Sequence, residues 1–282
     1  MDIIKIYTQA KNIIIENPSI TLPPIAVAIL SGIFSYFMKG VRPSLFFLNP
    51  THLGAFFGAV FLFSIAIGIL GLIASGVTII MCYDVLSNGK TSLGRGFEKV
   101  MEKLLDIVVA AILMGIIVVV GFILFIIPGL LAMLFLMFTL VIVIVDDASA
   151  SDAIRKSYMK VKENIGNVLI FIIVAFIVFL IVGIIGKIIE KIPLIGMILL
   201  SPIISGATTA YLNAALTIFY LHLRVWANVD HENKRCIIHT NPDCYYVAEH
   251  VEEGEWLSFS TLTDAENYCR IEFPEYSIER HC

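Results

Sequence analysis

The chain has 282 residues, 59% of them apolar and only 15% charged, and its mean hydropathy is +0.92. A soluble domain carries roughly 25% charged residues, so this composition excludes an ordinary soluble globular protein and a disordered one alike. The net charge of −4 is unevenly placed: residues 1–229 hold 15 Lys and Arg against 11 Asp and Glu, and residues 230–282 hold 4 against 12. The expected fold is therefore an all-α polytopic helix bundle of about six spans over 1–229, with a small acidic α+β module over 230–282.

A crossing of a ~30 Å hydrocarbon core needs about 20 apolar residues. Ile20 to Met38 is uncharged and predicts the first span, entered through Pro23-Pro24, which suit a first helical turn. Leu53 to Tyr83 predicts a long second span. Ile107 to Val145 is uncharged over 39 residues, too many for one crossing, and Pro128-Gly129 is the expected break. The result is a tight hairpin of spans three and four, crossing or re-entrant. Ile165 to Gly186 predicts span five, and Ile192 to Leu223 predicts span six with a possible kink at Pro202.

Three charged segments read as amphipathic helices on the membrane surface. The first runs from Ile3 to Glu16. The second follows Ser92, an expected N-cap, with Leu93, Phe97, Val100 and Leu104 as its apolar stripe. The third follows Ser149, which has capping-box spacing to Asp152. Its Ile154, Tyr158 and Val161 form an apolar side opposite Arg155, Lys156, Lys160 and Lys162, and this basic face is a candidate for lipid head groups. Residues 6–17 and 153–164 also align at an offset of 147, a faint internal echo.

Lys and Arg favour cytoplasmic loops. Thirteen of them fall on the side that holds both termini: Lys5, Lys11, Lys90, Arg95, Lys99, Lys103, Arg155, Lys156, Lys160, Lys162, Arg224, Lys234 and Arg235. Four, Lys39, Arg42, Lys187 and Lys191, fall on the other. The expectation is a multi-pass protein of the cell membrane with both termini cytoplasmic, no cleavable leader, and Tyr83, Tyr220 and Trp226 at the inner interface.

The run Ile126-Ile127-Pro128-Gly129, then Val145-Asp146-Asp147, Ala153-Ile154-Arg155-Lys156-Ser157 and Lys162-Glu163-Asn164, resembles the centre of a broad prokaryotic group of six-span proteins. That group includes the membrane domain fused to some glycerophosphodiester phosphodiesterases. The resemblance implies a six-span helical domain and no activity, because the phosphodiesterase chemistry of those proteins lies in a separate soluble domain.

The chemistry on offer is sparse. No Asp, Glu, Lys or Arg lies inside a predicted span, which counts against a proton-coupled pump. The sequence carries no G-x-S-x-G, P-loop, H-E-x-x-H or dinucleotide fingerprint, so no enzymatic role is expected. In span six, Ser201, Ser205, Thr209, Asn213 and Thr217 repeat every four residues. They read either as hydrogen-bonding packing between helices or as a polar path for a transported small molecule or lipid. In span two, Gly54, Gly58, Ser64, Gly68, Gly71 and Ser75 predict close helix packing in the bundle or a homo-oligomer.

Cys236, Cys244, Cys269 and Cys282, with His239 and His281, are the tail's candidate metal ligands. Zinc is the metal they would suit. The order His239-x4-Cys244, Phe259-Ser260, Asp264-Ala265 and a terminal cysteine resembles small metal-binding modules, but this chain lacks their closing C-x-x-C. Reduced thiols are the alternative, and a cytoplasmic location argues against disulfides. The acidic tail argues against nucleic acid as a partner. It suits docking to a basic surface of a cytoplasmic protein. Membrane lipids are the partners expected of the body.

Overall fold

The structure is a computed structural model and describes residues 2–40, 50–192, 194–240 and 254–281. Its elements in chain order are α1 (Ile3–Glu16), a 3-10 turn, α2 (Leu22–Gly40), α3 (Pro50–Asn88), α4 (Leu93–Glu102), α5 (Leu104–Leu124), α6 (Ile126–Phe135), α7 (Thr139–Val145), α8 (Ala150–Glu163) and α9 (Ile165–Ile189). After a π-turn over Gly196–Leu200 come α10 (Ser201–His222), β1 (Val225–Asp230), β2 (Arg235–His239), β3 (Glu255–Phe259), α11 (Leu262–Glu272) and β4 (Ser277–His281).

Six stretches of the described residues are long and apolar enough to cross a membrane: Pro18–Met38, Phe56–Asn88, Leu104–Leu124, Ile126–Val145, Ile165–Ile189 and Gly196–His222. Their outer faces are apolar. Ile116, Ile123, Phe125, Ile173, Phe179 and Ile184 are all exposed, a surface that water would not tolerate and hydrocarbon matches.

The long apolar run breaks at Phe125, where the chain turns extended, and not at Pro128-Gly129. Pro128 is the third residue of α6, where its missing N–H is one of the helix's unpaired donors anyway. What the turn requires is close approach of the two helices. A Cβ added at Gly121 would lie 2.9 Å from Gly129 Cα, so α5 and α6 meet backbone to backbone. The following apolar stretch is itself divided between α6 and α7. Ser157 of α8 repairs that second break, accepting from Phe138 N–H (3.1 Å) and donating to Phe135 C=O (2.8 Å). The serine and Ala153 of the Ala-x-x-x-Ser motif are both fully buried there. Ser157→Ala leaves both backbone groups buried and unpaired, with an expected loss of about 1–3 kcal/mol. Thermal unfolding of the detergent-solubilised chain measures it.

Span six is interrupted just before Pro202. Proline displaces the helical bond of its own turn, and the π-turn ending with Ser201 N–H on Gly196 C=O absorbs the misfit. Tight crossings elsewhere are made by glycine: a Cβ at Gly206 would come 2.5 Å from Ile25 Cα, where α10 meets α2. The span-two glycines expected to pack do not. Cβ atoms on Gly54, Gly58, Gly68 and Gly71 would meet nothing within 4 Å, so among the described residues that stripe is uncovered.

The amphipathic helices form, but they lie in the bundle more than on its surface. Asp2, Ser92 and Ser149 cap α1, α4 and α8 through backbone N–H groups, as N-caps do. Helix α1 buries Ile3, Ile6, Tyr7, Ala10 and Ile13, and the Tyr7 hydroxyl donates to Phe171 C=O at 2.9 Å. Helix α4 seats Gly96 and Val100 against α3, while Leu93 and Phe97 of the expected stripe stay exposed. Its Arg95 pairs at 3.3 Å with the buried Asp84 near the end of α3. Tyr220, expected at an interface, is fully buried, and Trp226 belongs to β1.

Among its described residues the tail folds as a four-stranded sheet in the order β3-β1-β2-β4 with α11 packed on it. Strands β1–β2 and β1–β3 are antiparallel, and β2–β4 is parallel. The sheet starts at Val225, ahead of the charge break at 230. Asp230 closes the β1–β2 turn by accepting from Asn233 N–H at 3.0 Å, and its bonds to Asn233 and Arg235 hold its carboxyl down at about 2.

Candidate functional site

A cleft of about 270 Å³ lies between the second half of α9 and the first half of α10. Phe179, Val182, Ile204 and Leu212 give it apolar walls, and Gly183 and Gly186 thin one side so that a ligand-sized space remains. Ser201, Ser205, Thr208 and Thr209 supply hydroxyls, and Lys187 and Glu190 stand among its lining residues at the end of α9. Thr208 and Thr209 donate to the carbonyls one turn back, at 2.8 and 3.0 Å. Ser201 donates across to Glu190 at 3.4 Å.

The expected stripe is therefore divided. Ser201, Ser205 and Thr209 line the cleft, whereas Asn213 and Thr217 do not. Ser205 and Thr209 are exposed, Asn213 is half-buried and Thr217 is fully buried. Thr217 donates to its own helix at Asn213 C=O, 2.8 Å away. Moving along α10 toward the tail, the stripe passes from open surface into packed core. Nothing in the sequence marks Lys187, Glu190 or Thr208 as cleft residues, because no local pattern shows which faces of α9 and α10 meet.

A second constellation joins the bundle to the tail. Asp146, at the end of α7, accepts from the hydroxyls of Tyr220 (α10) and Ser260 (between β3 and α11). Arg224 lies 3.6 Å from the other oxygen of Asp146 and donates to Ser258 C=O at 3.1 Å. Lys156 of α8 reaches Ser260 and Asp264, each at 3.3 Å. The tail thus pairs with Lys156 of this chain's own α8.

Only part of the basic face of α8 is open to solvent or head groups. Arg155 and Lys162 are exposed, but Lys156 faces the tail. Lys160, at 2% exposure, is buried and donates to Leu223 C=O. It belongs to the packed face of Ala150, Ala153, Ser157 and Val161, whose spacing the charge pattern concealed. Burial lowers the Lys160 ammonium from 10.5 to about 8. Between those values the unfolded chain holds more protons than the folded one, so stability rises with pH across that window and the charged-state penalty is fully present below it. We expect Lys160→Met to remove that slope, worth about 3 kcal/mol over the window. Unfolding midpoints of both proteins from pH 7 to 10.5 test it.

The tail cysteines differ from expectation. Cys236 of β2 and Cys269 of α11 are disulfide-bonded, with Cα atoms 6.3 Å apart, inside the apolar core of the module. Their sulfurs are thus consumed and do not serve as zinc ligands. His239 is buried, stacked on Trp256 at 5.4 Å and edge-on to His281 at 5.6 Å. Among the described residues no three His, Cys, Asp or Glu side chains gather as a metal site. Cys244 and Cys282 lie outside the described residues.

No curated protein and no solved structure matches the chain. One family model does, over residues 1–225, and its description is a domain of unknown function. That match ends where β1 begins, so it takes in the whole helical bundle and leaves out the sheet. By a match over most of its length, the chain belongs to the DUF7847 family.

Proposed function

We propose that this chain is a non-enzymatic integral membrane protein that binds a membrane lipid in the α9–α10 cleft. The carrying observation is the cleft's composition: apolar walls, hydroxyls along one side and charged groups at one end suit an amphiphile. The six apolar helices and the thirteen-to-four bias of Lys and Arg support a multi-pass topology with both termini, and so the tail, on the cytoplasmic face. The tail is then a cytoplasmic cap, docked through Asp146 and Lys156, that presents its remaining acidic surface to a protein partner. The uncovered glycines of α3 suit a second copy of the chain. Kinship with the phosphodiesterase-linked six-span domains rests on the motif around Pro128 and Ser157, and brings architecture without catalytic residues.

Transport is the second reading, favoured by the hydroxyl stripe itself. Single cysteines at Ser201, Ser205, Thr209, Asn213 and Thr217, probed with an aqueous maleimide in vesicles, separate the two. Binding predicts reaction confined to the first three positions. Reaction through Thr217 would establish a path instead.

A further inference from the structure

We infer that the α9–α10 cleft selects phospholipids whose head group carries both a phosphate and an amine, over anionic or uncharged lipids with the same tails. This rests on the lipid-binding reading of the cleft and adds its head-group chemistry.

Lys187 and Glu190 both line the cleft, one cationic and one anionic. They sit three residues apart at the end of α9, Glu190 being its C-cap in helical conformation, which puts their side chains on one face with Cβ atoms about 5–6 Å apart. Such a pair commonly closes on itself. Here it does not: among the described residues Lys187 has no ion pair, and Glu190 has only the Ser201 hydroxyl at 3.4 Å. Both are exposed at the end of the cleft, and they lead into a space walled by Phe179, Val182, Ile204 and Leu212. A lipid tail entering that space brings its head group beside both charges.

Removing a charged group from water is costly unless it meets its opposite. A head group with a lone phosphate satisfies Lys187 but sets a negative charge beside Glu190. An uncharged head group satisfies neither. In an aminoethyl phosphate, two carbons separate an oxygen of the anion from the cation, so one head group presents both charges. Of these three kinds of head group it alone pairs both groups at once, and the repulsion offered to anionic lipids supplies selectivity as much as the attraction does.

The test uses the full delipidated chain and native mass spectrometry. Phosphatidylethanolamine, phosphatidylglycerol and diacylglycerol with identical acyl chains are supplied in equal amounts. The expected result is several-fold greater retention of phosphatidylethanolamine than of either competitor. Glu190→Gln is expected to bring phosphatidylglycerol level with it, and Lys187→Gln to erase its advantage over diacylglycerol. Gly183→Trp fills the cleft at a position where a Cβ meets nothing within 4 Å, and should reduce retention of all three. Equal retention that Gly183→Trp still abolishes, or a preference for phosphatidylglycerol, overturns the head-group inference and leaves the lipid cleft standing. Retention that Gly183→Trp does not alter overturns both.

Discussion

Asp146→Ala is expected to release the tail from the bundle and to be the most damaging single change in the polar framework. Asp146 is almost fully buried and receives two hydroxyls from elements far apart in the chain, with Arg224 beside it. Removing the carboxylate leaves a largely buried guanidinium without its counter-charge and orphans the Tyr220 and Ser260 hydroxyls. Breaking a buried pair from one side costs about 3–5 kcal/mol. Asp146→Asn keeps an acceptor for the hydroxyls and loses only the charge, so its cost should be smaller. Ser260→Ala should cost about 1 kcal/mol, as loss of one hydrogen bond does. Hydrogen exchange on the full chain reads the result directly: amides of β3 and α11 lose protection in Asp146→Ala, while those of α5 and α9 keep it. Unchanged protection of β3 and α11 would show that the tail is held by something else.

Reduction of Cys236–Cys269 is the second large effect. The bond closes a loop of sequence separation 33 in a module whose apolar core is small. Chain entropy over such a loop gives about 4 kcal/mol of stabilisation of the folded tail. Treating the full chain with a strong reductant should lower the tail's unfolding midpoint well before the bundle's and expose two alkylatable thiols. An unchanged midpoint would show that the sheet and α11 hold without the bond. The same chemistry bears on topology, because cytosolic thiols are ordinarily kept reduced, and the proposed cytoplasmic placement of the tail would expose this pair to them. Alkylation of the protein in intact cells, before any extraction, gives the state of this pair where the tail resides.

Local features were legible from the residues alone. The Ser92 and Ser149 caps depend on a side chain and the next turn, and both formed where the spacing placed them. The six apolar stretches follow from length and charge. What depended on distant partners was not legible. Lys160 looks like a surface lysine until the end of α10 supplies Leu223 C=O as its acceptor. Pro128 looks like a breaker until Gly121 and Gly129 show that the turn precedes it. Asp146, Tyr220, Arg224 and Ser260 lie on separate elements, and Asp146 to Ser260 alone spans 114 residues. Asp146 and Ser260 each belong to a recognisable local motif, but no local pattern links them. The cysteine pairing is of the same kind, since four thiols admit three pairings and only the packing of α11 on β2 chooses.

The claim most in need of direct observation is that a lipid occupies the α9–α10 cleft. A cryo-electron-microscopy map of the full chain in phosphatidylethanolamine nanodiscs, with a rigid antibody fragment as a fiducial, provides it. The prediction is an elongated density between Phe179, Gly183 and Ile204, with its head beside Lys187 and Glu190 and its end short of Thr217. A cleft without lipid density, or one opening as a water-filled channel past Thr217, would contradict the binding account, and the channel would favour transport.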